Sequence, residues 1–231
     1  MTYSKRYDGR KFDELRPIKA ETGVIPRAKG SAKFQIGNTI AIAAVYGPRG
    51  LHPKLQDPHR GILRCNYNMM SFSGSGNRVR PGPSRRSKEI GLITEKALTP
   101  AVDLTNFRGS AVEVYIELIQ TDAGTRCAGI TAAAMALADA GFQMKDLVTA
   151  VAMGKVEDKL VTDVSNEEEH HENGSTDIPI AIMPRTGHIT MLQTDGHISK
   201  EDLKEVFKSA RKAIDQIHKV QQEALKARYK K

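Results

Sequence analysis

Apolar residues return at every second position along Val112, Val114, Ile116 and Leu118, which predicts a strand with one buried face. Residues 62–70 alternate in the same way, with Leu63, Cys65, Tyr67 and Met69 inward and Arg64, Asn66 and Asn68 outward. Residues 32–36, a Gly37-Asn38 turn and the apolar residues 39–46 predict a hairpin whose second strand ends at Gly47-Pro48. Residues 15–25 read as extended. Residues 147–153 and 159–162 predict strands joined through Gly154-Lys155. Residues 177–183 form a strand opened by a carboxylate, with 188–193 as its hairpin partner.

Helical spacing interrupts these strands three times. Ser87 is placed to cap a helix with Ile90, Ile93, Ala97 and Leu98 inward, ended by Pro100. The run CAGITAAAMALADAG, residues 127–141, consists mostly of strong helix formers and stops at Gly141. Ser199-x-x-Asp202 opens a long C-terminal helix with Leu203, Val206, Phe207, Ala210, Ile214 and Ile217 inward, fraying into ALKARYKK. Strands, helix, strands, helix, strands, helix make an α+β plan with two comparable halves. The boundaries are residues 1–11 for a basic N-terminal arm, about 12–150 for the first half and 151–231 for the second, all in one domain.

Composition narrows the class. With 231 residues, 39% hydrophobic and 27% charged, the chain can bury a substantial core, and it has no apolar run able to span a bilayer. The polar, basic start MTYSKRYDGRKF predicts no cleaved secretory signal and a cytoplasmic protein. Cys65 and Cys127 have no metal or redox spacing, and no disulfide is expected. A formal net charge of +8 favours a polyanionic partner. Arginines cluster at 78, 80, 85 and 86 in a flexible loop, whereas Glu167, Glu168, Glu169 and Glu172 fill a loop that starts at Asp163.

The chemistry centres on Thr121-Asp122-Ala123-Gly124-Thr125-Arg126, between the 112–118 strand and the alanine-rich helix. A strand, a tight glycine turn and a helix N-terminus bring free amides and the positive dipole end together, and Arg126 adds a two-pronged donor. The ligand this predicts is phosphate, although the same strand, turn and helix also occur in domains without a ligand. Gly74-x-Gly76 lacks the third glycine and the βαβ setting of a dinucleotide fingerprint. His170-His171 has no distant partner at zinc spacing and reads as solvated loop. With Arg85 and Arg86 near the phosphate and the acidic loop and Asp177 opposite, the residue types suit phosphoryl transfer.

These segments resemble the RNase PH superfamily, specifically the catalytic RNase PH-like subunits of the archaeal exosome. The resemblance runs from RYDGRKFDELRPI through GSAKFQIGNTIAIAAVYGPRGLHPK, PGPSRR, QTDAGTRCAGITAAAMALADAGFQMKDLV and TDIPIAIMP to EALKARYKK. It implies the RNase PH fold, with two halves like domain 2 of ribosomal protein S5. It also implies a 3′→5′ exoribonuclease that uses inorganic phosphate as co-substrate, releases nucleoside diphosphates and adds tails in reverse. Its partners would be a single-stranded RNA 3′ end, a related non-catalytic subunit in a trimer of heterodimers, and RNA-binding cap proteins.

Carried over by position, Gly124, Thr125, Arg126 and Arg86 bind phosphate, while Arg64 and Arg85 contact RNA. Asn66 stands where relatives often carry a second arginine. Relatives have an aspartate acid six residues before the match to Asp177, which here falls on His171; counting from Asp163 instead puts Glu169 there, with two extra residues following. Glu169 is the expected general acid, with its pKa raised by the like charge of Asp177, and Asp177 is a possible Mg²⁺ ligand. The alternatives are a non-catalytic subunit that threads RNA and a stand-alone tRNA-trimming RNase PH.

Overall fold

A computed structural model describes residues 3–76 and 78–230. The first two residues of the expected basic arm, Asn77 of the arginine-rich loop and the final lysine lie outside the described residues. The remainder is α+β, with two sheets on either side of one helix.

The first sheet contains β1 (Ile18–Thr22), β2 (Gly30–Ile36), β3 (Thr39–Gly50), β4 (Ile62–Met69) and β5 (Ser110–Gln120), in the order β1-β2-β3-β5-β4. Only the β4–β5 pair is parallel. β3 does not stop at Gly47-Pro48: it bends through a register shift between Tyr46 and Arg49 and pairs with β5 to its end. The period-two pattern is realised as written, because Val112, Val114, Ile116 and Leu118 are fully buried.

Helix α1 (Arg85–Leu98) lies on β4, with α2 (Thr125–Asp139) beside it. Its N-cap is Ser84, not Ser87; Ser87 instead completes a reciprocal capping box from the third helical position. This makes Arg85 and Arg86 the first two residues of the helix rather than part of the loop. Gly91 allows the close approach to β4, since a Cβ there would sit 2.6 Å from the Cys65 carbonyl oxygen.

α2 is apolar on nearly every side and is buried accordingly. One side packs on β2, β3 and β5, the other on β6 (Thr149–Val156) and β8 (Ser175–Met183). The second sheet has the order β7-β6-β8-β9, with β7 (Lys159–Thr162) and β9 (His188–Leu192) at its edges. β6 runs straight through Gly154-Lys155, and the turn falls at Glu157 and Asp158. The acidic loop is not structureless: Ser165 caps a single helical turn, α3 (Asn166–Glu169), in a capping box with Glu168. α4 (Lys200–Tyr229), opened by the Ser199 cap, stays helical through most of ALKARYKK and covers β1, β6 and β7.

The N-terminal arm departs furthest from expectation. Tyr3 and Arg6 are buried, and Arg10 donates to the carbonyl of Asp163. The arm's two arginines, Arg6 and Arg10, are taken up by carboxylates and carbonyls of the acidic segment, while Lys5 and Lys11 stay exposed.

Candidate active site

The end of β5, the N-termini of α1 and α2, and the second sheet enclose a cleft of about 580 Å³. Arg86, Gly124, Thr125 and Arg126 line one wall, and Glu169 and Asp177 line the opposite one. Arginine and carboxylate positions far apart in the chain therefore share one cavity.

The anion turn is fixed from below by Thr39, whose hydroxyl accepts from the Asp122 amide at 3.0 Å and donates to the Ala123 carbonyl at 2.7 Å. Gly124 is the N-cap of α2, with φ of 62°, and Ala123 before it has φ of 53°. For alanine that conformation costs roughly 1 kcal/mol, a strain found where a turn is shaped for a ligand. No side chain caps α2, so its first amides have no intrahelical acceptor at the cleft wall.

Both guanidinium groups on this wall fit an anion. Arg126 donates through Nη1 to Gln193 Oε1 at 2.6 Å, while its Nε is buried with no acceptor among the described residues. An unsatisfied buried donor costs about 1–3 kcal/mol, which an anion oxygen would remove. The first turn of α1 has Arg85 and Arg86 and no acid. Cations at a positive dipole end repel it until an anion intervenes.

Across the cleft, Asp177 has its pKa raised to about 6, first by burial and then by the negative charge of Glu169; Arg126 opposes this and Asp195 adds to it. The raised carboxyl is thus Asp177. Asp177 is held inside β8 and in a backbone bridge to Asp195, whereas Glu169 ends the exposed rim of α3. His171, the other position reached by spacing, is off the cleft: it is bonded to the Tyr7 hydroxyl at 2.6 Å and to Glu157 at 3.1 Å. Glu172, Asn173 and Gly174, which follow, are also off the cavity wall, with Asn173 donating to Glu157 at 2.7 Å.

Among the described residues no three His, Cys, Asp or Glu side chains converge as a metal-ligand set. Asp177 crowded by Glu169 and Asp195 fits a hydrated Mg²⁺ held by one or two carboxylates, not an all-protein cage.

Two family models cover most of the chain. The 3′ exoribonuclease family domain 1 (RNase PH) matches residues 14–143, and domain 2 of the same family matches residues 146–213. The chain belongs to the 3′ exoribonuclease family. Among similar relatives in this family, the exosome complex component Rrp41 of Pyrococcus abyssi is 52% identical over 98% of this chain and 90% of its own length. That of Methanopyrus kandleri is 48% identical over 97% and 93%. The RNase PH fold recurs in solved structures: rice Rrp46 superposes with a TM-score of 0.83 at 24% identity, covering 95% of this chain and all of that one. A chain of the Archaeoglobus fulgidus exosome with RNA bound to the active site gives 0.79 at 23%, covering 94% of this chain and 92% of that one.

In this 3′ exoribonuclease family member, two expected site residues stay outside the cleft. Arg85 is exposed at the tip of α1, and Arg64 is on the face of β4 turned away from the helices, level with Glu113 of β5. Conversely, Gln193, Asp195 and Asn166 line the cleft although nothing in their sequence surroundings marks them. The one available signal was that Asp195 and Gln193 follow the edge strand that pairs with the Asp177 strand.

Proposed function

We propose that this chain is the catalytic subunit of an exosome and shortens RNA from its 3′ end with inorganic phosphate as the attacking group. The observation that carries this is the cleft itself, with the bare N-terminus of α2, Arg126 and Arg86 facing Glu169 and Asp177. Relatives about half identical over nearly the whole chain, each named an exosome complex component, support the assembly.

Phosphate sits on the amides of Gly124, Thr125 and Arg126, with Arg126 Nε and Arg86 neutralising its charge. One of its oxygens forms a bond to the phosphorus of the terminal nucleotide. The bond from that phosphorus to the preceding 3′ oxygen breaks, giving a nucleoside diphosphate and an RNA one unit shorter. Glu169, on the open side, delivers the proton to the departing 3′ oxygen. Mg²⁺ at Asp177 would supply further charge neutralisation on the phosphoryl oxygens. Arg85 and Arg64, outside the cleft, are offered to the RNA strand further from its end. The reverse reaction adds tails. The working form is a cytoplasmic ring of three copies alternating with a related non-catalytic subunit and topped by RNA-binding proteins.

The test is product analysis. The assembled complex is incubated with RNA, with and without phosphate. Nucleoside diphosphates formed only with phosphate are expected; monophosphates, or cleavage indifferent to phosphate, would contradict the mechanism.

A further inference from the structure

Glu168 and Glu169 are adjacent on α3 and have opposite fates. Glu168 is fully buried, whereas Glu169 is on the cleft wall. Roughly 100° of helical rotation separates neighbouring side chains, so one can anchor while the next projects. A single four-residue turn does not hold itself in water, because helix nucleation is unfavourable. Something else must fix α3.

That support comes from the N-terminal segment. The Glu168 carboxylate accepts from Arg6 Nε and Nη2, both at 2.7 Å, from the Tyr3 hydroxyl at 2.6 Å and from the Ser165 amide at 2.9 Å. Arg6 is 2% exposed and also donates to the carbonyls of Thr162 and Asp163, both at 2.8 Å, where the acidic segment begins, and to those of Glu14 and Lys11 at 3.2 and 3.3 Å. Arg16 secures the same start by gripping the Asp163 carboxylate at 2.7 and 2.9 Å, and it also donates to the Asp122 carbonyl of the anion turn. Residues 163–168 thus hang from Arg6 at both ends, and Arg16 ties their start to the anion turn.

A buried ion pair is weak evidence for stability alone, since burying both charges costs much of what their attraction returns. Its geometric effect is definite, because slack at Glu168 becomes slack at Glu169. We propose that Arg6 is a positioning residue, which through its two-pronged hold on Glu168 aims the Glu169 carboxyl at the reacting phosphate. The proposal rests on Glu169 being the proton donor.

The experiment is a double-mutant cycle on the full chain in its assembled complex, reading kcat and KM for phosphate-dependent RNA shortening. Arg6→Lys keeps the charge and loses the fork. It is expected to lower kcat about tenfold or more while leaving KM for RNA within about twofold, as misplacement of a reacting group does. In a Glu169→Gln background, measured with enough enzyme to read the residual rate, Arg6→Lys should change kcat by less than about twofold. If Arg6→Lys lowers kcat by the same factor in both backgrounds, or has no effect in either, the positioning role is overturned. Should Arg6→Lys not fold, Tyr3→Phe removes one donor from Glu168; a smaller loss with the same non-additivity is expected, and an additive or absent loss overturns the role. Full activity of Glu169→Gln alone overturns the proton-donor assignment, and the positioning role with it, before any Arg6 variant is read.

Discussion

Arg126 reaches across the seam between the two sheets and donates to Gln193 at 2.6 Å. The anion turn is therefore braced by a residue just beyond an edge strand of the other sheet. Gln193→Ala is expected to let the guanidinium swing and to raise KM for phosphate about 2- to 10-fold with kcat little changed, the usual worth of one such bond. Steady-state kinetics at varied phosphate check this. Arg126→Lys, which loses the planar fork altogether, should cost far more.

Asp177 makes stability depend on pH in an unusual direction for a carboxylate. Because its pKa is raised to about 6 in the folded chain, the native state holds a proton that the unfolded chain has already released. The contribution is complete below about pH 4 and is lost as pH rises through about 6. Asp177→Asn should therefore stabilise the chain by on the order of 2 kcal/mol at pH 7.5 and by almost nothing at pH 4. Urea midpoints at both pH values decide it, and an equal gap at each would contradict the account.

Gly124 has space for a methyl group but not the backbone for one. A Cβ would meet Arg16 Nη2 at 3.5 Å and Ala152 Cβ at 3.6 Å, ordinary contacts, while φ of 62° remains unfavourable. Gly124→Ala is expected to cost about 1 kcal/mol in stability and to weaken phosphate binding, because relaxing φ turns the α2 amides from the cleft. Thermal melts with and without phosphate separate the two effects.

Gly91 is the reverse case. Its conformation is ordinary and its surroundings are closed, with the Cys65 carbonyl oxygen 2.6 Å from the missing Cβ. Gly91→Ala should push α1 off β4, cost about 1–3 kcal/mol, and displace Arg86 with the helix. Chemical denaturation and the phosphate KM should worsen together.

Much of this was legible beforehand, for a local reason. Alternation in 112–118 and 62–70 reports burial on one face of a strand, and the alanine-rich run 127–141 carries its own helix propensity and its glycine stop. The strand, glycine turn and arginine of the anion site are contiguous, so one stretch of sequence carries them. What escaped depends on distant pairing. Ser87 reads as the cap until the helix start is seen at Ser84. Glu168 and Glu169 are the same residue type side by side, and only the course of Tyr3 and Arg6 separates an anchor from a cleft residue. Arg6 and Arg10 read as part of a basic arm, and Arg16 as nothing in particular, because their acceptors lie about 150 residues away. Gln193 and Asp195 enter the cleft through β8 pairing alone.

The enclosure of α2 between two sheets has a dynamic corollary. A helix with no free flank has no private route of opening, so its amide protons beyond the uncapped first turn should exchange with solvent only when the whole domain comes apart, among the slowest in the molecule. The anion turn at its head inherits that rigidity. Any give in the cleft must come from the α3 side, whose amides should exchange sooner.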